Sequence, residues 1–174
     1  MSGSKISAGV TFPSFSALSV DSGEKIEIGK ASGKWQLVIV YRGKHCARCK
    51  KYLNTLEQMQ TAWHDAGFNI MTVSADSREK AQADIAEFGW TFPVACELSE
   101  HEMRKLGLYI SEPLSPNEAD GLFAEPAVFC LRPDGTVQIV AISNGPSARP
   151  DLGELLDGMI FTINKERPPR GTVA

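Results

Sequence analysis

A strand buried on both faces, followed directly by a helix that begins beside two cysteines, is predicted for residues 35–66. Leu37-Val38-Ile39-Val40 is a continuous apolar run, mostly of β-branched residues, as in a strand covered on both faces. Arg42-Gly43-Lys44-His45 interrupts this run. A helix over 47–66 follows, ended by Gly67, because apolar side chains recur there near helical spacing: Leu53, Leu56, Met59 and Trp63. The unit indicates an α/β protein.

The rest of the chain continues the alternation of strands and helices. We predict a strand over 68–73, a helix over 77–88, an extended segment over 91–95, a helix over 99–106, a hairpin over 127–142 and a last helix over 151–164. Such alternation implies parallel strands joined by right-handed crossovers, and the hairpin adds an antiparallel edge. The expected fold is a mixed sheet with helices on both faces. Residues 11–15 and 25–28 predict one small preceding hairpin, and residues 107–125 an irregular insert.

Length and charge limit the domain organisation and the partners. The 174 residues predict one domain over 1–165 and a polar tail over 166–174 that is loose unless it docks. The net charge of −3 argues against nucleic acid as a partner. No apolar run approaches the roughly 20 residues that a membrane span needs. The first residues lack the basic start and apolar stretch of a secretory signal, so we expect a cytoplasmic protein.

The spacing of the cysteines carries the strongest chemical signal. Cys46 and Cys49 form a Cys-x-x-Cys pair, whereas Cys96 and Cys130 stand alone. The pair lies where a strand ends and a helix begins, so unpaired N–H groups and the helix dipole stabilise a thiolate there. The segment 42–51 contains no acidic residue but has His45 and five cations, namely Arg42, Lys44, Arg48, Lys50 and Lys51. This context predicts a redox-active dithiol that cycles through a Cys46–Cys49 disulfide.

A structural zinc site and inert core residues are the two other interpretations of the cysteines. A structural zinc site needs four ligands, and the second Cys-x-x-Cys or His pair is missing, so no metal is expected. Inert core cysteines are the other option. Cys96 ends a predicted core strand, where either a third redox thiol or a packed side chain fits. Cys130 alternates with Val128 in a strand and is interpreted as core.

The segment Val-Ile-Val-Tyr-Arg-Gly-Lys-His-Cys-Ala-Arg-Cys resembles the active-site segment of the alkyl hydroperoxide reductase/thiol-specific antioxidant family, the peroxiredoxins. The resemblance runs from about residue 9 to 163 and includes Val73-Ser-Ala-Asp-Ser77, Phe92-Pro93, Phe129-Cys-Leu-Arg-Pro-Asp-Gly135 and Pro146-Ser-Ala-Arg149. It implies the thioredoxin-like fold with a peroxiredoxin-type N-terminal extension. It also implies an antioxidant thiol enzyme, whose members often pair into dimers.

The sequence departs from the family pattern Pro-x-x-x-Thr/Ser-x-x-Cys at the site itself. Alignment of the strands places Cys49 at the peroxidatic cysteine, Cys46 at the Thr or Ser, and Arg42 at the proline. Pro126 stands where the family has an arginine, and it resembles the cis-proline opposite the cysteine pair of thioredoxins. The site therefore combines features of both groups.

These departures lead us to favour dithiol–disulfide exchange with substrate disulfides, with Cys46 as nucleophile, Cys49 resolving and Pro126 shaping the groove. The alternative is a thiol peroxidase, with Cys49 peroxidatic, Cys46 resolving and Arg149 binding peroxide. A non-catalytic thioredoxin-fold binding module is the second alternative. Arg42, His45 and Arg48 are candidate electrostatic or substrate-binding residues, His45 by tuning the thiolate. We expect no cofactor, and a thioredoxin- or glutathione-like thiol as reductant.

Overall fold

A seven-stranded mixed sheet forms the centre of the protein in a computed structural model that describes residues 4–173. Its strands are β1 (Phe15–Ser19), β2 (Lys25–Ile28), β3 (Trp35–Val40), β4 (Phe68–Val73), β5 (Val94–Cys96), β8 (Ala127–Leu131) and β9 (Val137–Ile142). They are arranged in the order β2-β1-β5-β4-β3-β8-β9. A separate two-stranded sheet pairs β6 (Ile110–Ser111) with β7 (Phe123–Ala124).

Four helices cover the sheet: α1 (Ala47–Asp65), α2 (Arg78–Phe88), α3 (Glu100–Lys105) and α4 (Leu152–Asn164). Each begins at a residue whose side chain accepts a backbone N–H, namely Cys46, Ser77, Ser99 and Asp151. Gly89 ends α2 in the left-handed conformation, with φ of 70°. Caps visible in the sequence therefore set most helix boundaries.

The mixed sheet confirms the predicted fold class. Strand β3 is parallel to β4, and β4 to β5, whereas β8 runs antiparallel to β3 and joins β9 in the predicted hairpin. The first hairpin differs from the prediction, because its first strand is 15–19 rather than 11–15. It is also part of the main sheet, since β1 pairs with β5.

The alternating side chains of β3 explain its uninterrupted apolar run. Leu37 and Ile39 belong to one buried cluster, which α1, α2 and α4 cover. Val38 and Val40 belong to a second cluster on the opposite face, covered by α3 and the N-terminal segment. Strand β3 is therefore buried on both faces, as predicted, and α1 follows its carboxyl end, also as predicted.

The insert and the tail both make defined hydrogen bonds. Residues 107–125 contain the small β6–β7 sheet, which brings the end of the insert beside β8. In the tail, the carbonyl of Arg167 accepts from Arg132 at 3.4 Å, and that of Pro168 accepts from Gln138 at 3.4 Å. The tail therefore docks on β9 and the preceding turn. Within 4–173, no helix combines the length and apolar character needed to cross a bilayer.

Candidate active site

Cys46 caps the N-terminus of α1, directly beyond the carboxyl end of β3. Its Sγ accepts the backbone N–H of Cys49 at 3.2 Å, and the first turn of α1 contains no acidic residue. A sulfur at this position faces the positive end of the helix dipole and an otherwise unpaired N–H. Both cysteines are free thiols, with 3% of Cys46 and none of Cys49 exposed. Both cysteines are therefore buried.

The pKa values of the two thiols are shifted in opposite directions. The pKa of Cys46 is lowered from 9.0 to about 6, mainly because the Cys49 thiol donates a hydrogen bond to its thiolate. The Cys49 N–H and the charge of Arg42 act in the same direction and together outweigh burial. The pKa of Cys49 is raised, first because that thiol keeps its proton as the donor to Cys46, and then by burial. The lower pKa of Cys46 favours it as the thiolate of the pair at neutral pH.

Arg42 is held beside Cys46 by carboxylates of the insert. Its Nε lies 3.1 Å from Oε2 of Glu125, and its Nη2 lies 3.6 Å from Oε1 of Glu118. The guanidinium also lies 5.0 Å from the ring centre of Phe123. Glu125 is buried, and its other oxygen accepts the Ser111 hydroxyl at 2.6 Å. The predicted irregular insert is therefore a wall of the site.

Two further cations of the basic segment are also neutralised. The Nζ atoms of Lys44 and Lys50 lie 3.4 and 3.6 Å from Oδ1 of Asp84, which is fully buried in α2. Because Arg42, Lys44 and Lys50 each have carboxylate partners, the positive field around the cysteines is weaker than the segment's composition indicates. Arg48 and Lys51 are exposed, and within 4–173 neither takes part in an ion pair.

The loop between β3 and α1 is anchored by Asp76, which follows β4. Its Oδ2 accepts the backbone N–H of Lys44 at 2.7 Å. Gly43 has φ of 128°, and a Cβ there would lie 2.5 Å from the Asp76 carboxylate. Burial raises the pKa of Asp76 from 3.8 to about 6. The glycine of the Arg-Gly-Lys-His break is thus required both by the backbone conformation and by the space.

Arg149 reaches the cysteine pair from the segment before α4. Its guanidinium lies 4.5 Å from the ring centre of Tyr52, and its charge acts to lower the pKa of Cys49. Its Nη1 atom is buried without a hydrogen-bond partner in the structure. The structure thus brings Arg42 and Arg149 to the two cysteines from different segments.

His45 and Pro126 differ from simple expectations. The His45 ring packs edge-on against Phe123, 4.7 Å between ring centres, and burial lowers its pKa. A neutral His45 is thus part of the wall that the insert forms. Pro126 is buried at the start of β8, the strand that pairs with β3. No cis peptide bond occurs in 4–173, so the expected likeness of Pro126 to a cis-proline is wrong. The Pro126 carbonyl instead accepts the Ser143 N–H at 3.0 Å, which continues the β8–β9 ladder.

The two remaining cysteines lie in the core. Cys96 and Cys130 are fully buried, and burial raises the pKa of each thiol, to about 11 for Cys96. Neither has the features of a reactive thiolate. Across the described residues 4–173, no group of three or more His, Cys, Asp or Glu side chains is arranged to hold a metal ion.

The residues missed from the sequence are the partners of the basic segment: Asp84, Glu118, Phe123 and Glu125, which contact its cations, and Asp76, which accepts the Lys44 N–H. Asp76 lies in the segment 73–77 that carries the resemblance, but no role at the site was inferred for it. Asp84, Glu118 and Phe123 lack a motif, and their role depends on contacts with distant segments. Glu125 had one available signal, since it directly precedes Pro126 at the start of a predicted strand next to the site strand.

Comparison with known proteins agrees with this fold. Residues 8–140 match the model of the AhpC/TSA family. No curated protein matches the chain significantly.

Solved structures of similar fold cover most of the chain. The peroxiredoxin-like protein from Aquifex aeolicus is 18% identical, with a TM-score of 0.78 over 93% of this chain and 90% of its own. The 2-Cys peroxiredoxin of Plasmodium vivax is 17% identical, with a TM-score of 0.74 over 95% of this chain and 91% of its own. AhpC of Mycobacterium bovis is 18% identical, with a TM-score of 0.72 over 98% and 99% of the two chains. At these identities the likeness concerns the fold.

Proposed function

The chain belongs to the AhpC/TSA family of thiol-based redox enzymes, and from this membership we propose that it reduces hydroperoxides with the Cys46–Cys49 pair. The Cys46 thiolate attacks the peroxide, breaks the O–O bond and becomes a sulfenic acid, while the other oxygen leaves as alcohol or water. Cys49 then condenses with the sulfenic acid, which forms the disulfide and releases water. Two electrons, from two external thiols or from one dithiol, restore the pair.

The observation that carries the proposal is the environment of Cys46. Its Sγ accepts the Cys49 N–H at the start of α1, and its lowered pKa of about 6 leaves it a thiolate at neutral pH. The proposal therefore assigns the two cysteines the reverse of the roles that alignment to the peroxidatic position gives them. Family membership supports the peroxidase over dithiol–disulfide exchange, which the sequence favours.

The low exposure of Cys46 also favours a small oxidant. With 3% of the residue exposed, a hydroperoxide reaches the sulfur more easily than the disulfide of a folded protein. Arg42 is placed to stabilise the negative charge that develops on the leaving oxygen. Arg42 thus provides a guanidinium at the site, since Pro126 stands where the family has an arginine.

Disulfide exchange remains the second candidate because of the Cys-x-x-Cys arrangement itself. Cys46 stands where the family pattern has Thr or Ser. The sulfur of Cys46, which caps α1, and the thiol of Cys49, which donates to it, therefore form a complete dithiol. In this mechanism Cys46 attacks a substrate disulfide and Cys49 releases the product. Reduction of insulin measures this activity independently of peroxide.

Stopped-flow reaction of the reduced protein with hydrogen peroxide tests the proposal. We expect oxidation much faster than that of free cysteine, and mass spectrometry showing a Cys46–Cys49 bridge. Cys49→Ser retains the fast first step and accumulates a sulfenic acid that dimedone traps, whereas Cys46→Ser loses it. Cys130→Ala, which removes a buried strand thiol, serves as the control. A rate equal to that of free cysteine eliminates the peroxidase, and a fast Cys46→Ser with a slow Cys49→Ser restores Cys49 as the attacking thiol.

The proposal includes the setting in which the enzyme works. We propose a cytoplasmic location and a thioredoxin- or glutathione-like thiol as reductant, as expected from the sequence, and pairing of two copies, as the family resemblance implies. Gel filtration with light scattering tests the last point.

A further inference from the structure

Three cations near the cysteines have no acidic partner and line one cavity. Arg48 and Lys51 come from the first turns of α1, and Arg149 comes from the segment before α4. The cavity has a volume of about 270 Å³ and is completed by Tyr52, Thr55, Pro146, Ser147, Pro150, Asp151 and Leu152. Within 4–173, none of the three cations forms an ion pair. The other cations of segment 42–51 are neutralised, so positive charge is concentrated here.

The cavity also holds a hydrogen-bond donor that lacks an acceptor. Nη1 of Arg149 is buried and unpartnered, and stacking on Tyr52 fixes the guanidinium plane. The Tyr52 hydroxyl donates to the Pro150 carbonyl at 2.7 Å and makes no hydrogen bond with Arg149 Nη1. Asp151 contributes a carboxylate to the lining, but its Oδ1 accepts the N–H groups of Gly153 and Glu154. A buried donor of this kind is normally satisfied, which points to an anionic ligand.

We propose that this cavity binds the carboxylate of a small thiol that reduces the Cys46–Cys49 disulfide. The inference rests on the proposed function, because it assigns the reductant of that same pair. An arginine fork suits a carboxylate, and the volume suits a small molecule rather than a folded protein. Arg42 and the insert cover the Cys46 side. Arg48, which lines the cavity, precedes Cys49 in the chain, and the charge of Arg149 acts on Cys49, so the thiol is assigned an approach from the Arg149 side.

The chemistry of this approach is balanced and has a favourable leaving group. A thiolate anchored there by its carboxylate attacks the Cys49 sulfur, forms a mixed disulfide and releases Cys46 as a thiolate, which the Cys49 N–H and Arg42 stabilise. A second thiol attacks the mixed disulfide, so that two thiols are oxidised to one disulfide and both cysteines regain the thiol or thiolate form.

The test measures reduction of the oxidised protein by glutathione and by glutathione diethyl ester, which has the same thiol but masked carboxylates. Diamide, not peroxide, prepares the disulfide, so the measurement is independent of the peroxidase step. We expect glutathione to react faster than the ester, and added salt to reduce the difference. Lys51→Gln lowers the glutathione-to-ester rate ratio about two- to fivefold. Lys51→Arg restores it, and Lys25→Gln, an exposed lysine on the edge strand β2, leaves it unchanged.

Neutral dithiothreitol controls for a general loss of reducibility, and its rate stays constant across these variants. Equal rates for glutathione and its ester, or a Lys51→Gln ratio equal to that of the unmodified protein, overturn the subsite. The two proposals fail separately. If glutathione reacts faster than its ester but peroxide oxidation is slow, the subsite stands and the peroxidase proposal is wrong. If peroxide oxidation is fast but glutathione and its ester react equally, only the subsite proposal is wrong.

Discussion

Nε of Arg42 lies 3.1 Å from Oε2 of Glu125, and this ion pair joins the loop before Cys46 to the end of the insert. The pair is largely screened from solvent, with side-chain exposures of 18% and 7%. The remaining Glu125 oxygen is held by Ser111 on β6. The insert therefore sets both the position and the net charge of the guanidinium that acts on the reactive thiol.

Glu125→Gln tests this coupling with almost no change in volume. Loss of the counter-charge leaves Arg42 without its buried partner, and we expect unfolding in urea to show a loss of about 1–3 kcal/mol. The pKa of Cys46 falls further, because less of the Arg42 charge is offset, and thiolate absorbance against pH measures this. Glu112→Gln, on the exposed part of the same insert, is the control. If both variants behave alike, the ion pair does not tune the thiol.

The alkylation rate of the reduced protein is expected to follow the titration of Cys46. Its pKa is lowered to about 6, so the reactive thiolate is lost as pH falls through about 6 and is fully present above about pH 7. Cys49→Ala removes the donor that contributes most to this shift, and the midpoint moves upward. The rate of iodoacetamide labelling between pH 4 and 10 reports both midpoints. A midpoint near 9 in the unmodified protein would show that the helix terminus does not activate Cys46.

Asp76→Asn is expected to change how stability depends on pH. Burial raises the Asp76 pKa from 3.8 to about 6, so the folded state holds this proton more tightly than the unfolded state. The stability that protonation contributes is present at low pH and is lost as pH rises through that window, up to about 3 kcal/mol. The unmodified protein therefore loses stability relative to Asp76→Asn between about pH 4 and 7, as urea unfolding at each pH measures.

Asp134→Asn provides a control of opposite sign. The Thr136 hydroxyl and N–H lower the pKa of this exposed turn carboxylate, so its contribution is lost as pH falls. A stability difference for Asp76→Asn that does not vary with pH contradicts the burial argument.

Gly43→Ala is expected to destabilise the protein and to slow the reaction of Cys46. The new Cβ would meet the Asp76 carboxylate, and φ of 128° is already unfavourable for alanine. Gly33→Ala is the matched comparison, because Gly33 also has positive φ but has open space around the added Cβ. We expect a loss of about 1–2 kcal/mol for Gly33→Ala and a larger loss for Gly43→Ala, measured by thermal unfolding. Equal losses indicate that the contact with Asp76 is relieved without cost.

Most of the fold could be predicted from local patterns. The uninterrupted apolar run of β3 reflects clusters on both sheet faces, and Ser77 and Ser99 begin their helices as capping residues. The first strand of the first hairpin lies at 15–19 rather than at the predicted 11–15. Strand β1 pairs with both β2 and β5, and its own sequence does not indicate the pairing with β5.

The sequence by itself determined the position of the Cys46–Cys49 pair: a strand, a break and a helix that begins at Cys46 are all properties of adjacent residues. What the tertiary structure decided is the charge around that pair. Segment 42–51 is basic in sequence, yet Glu125, Glu118 and Asp84 neutralise three of its cations and leave Arg48 and Lys51 to join Arg149 at one cavity. Caps and periodicity act within a few residues of the chain. Ion pairs join segments that meet only when the sheet is assembled, so the field that sets thiol reactivity is a property of the folded protein.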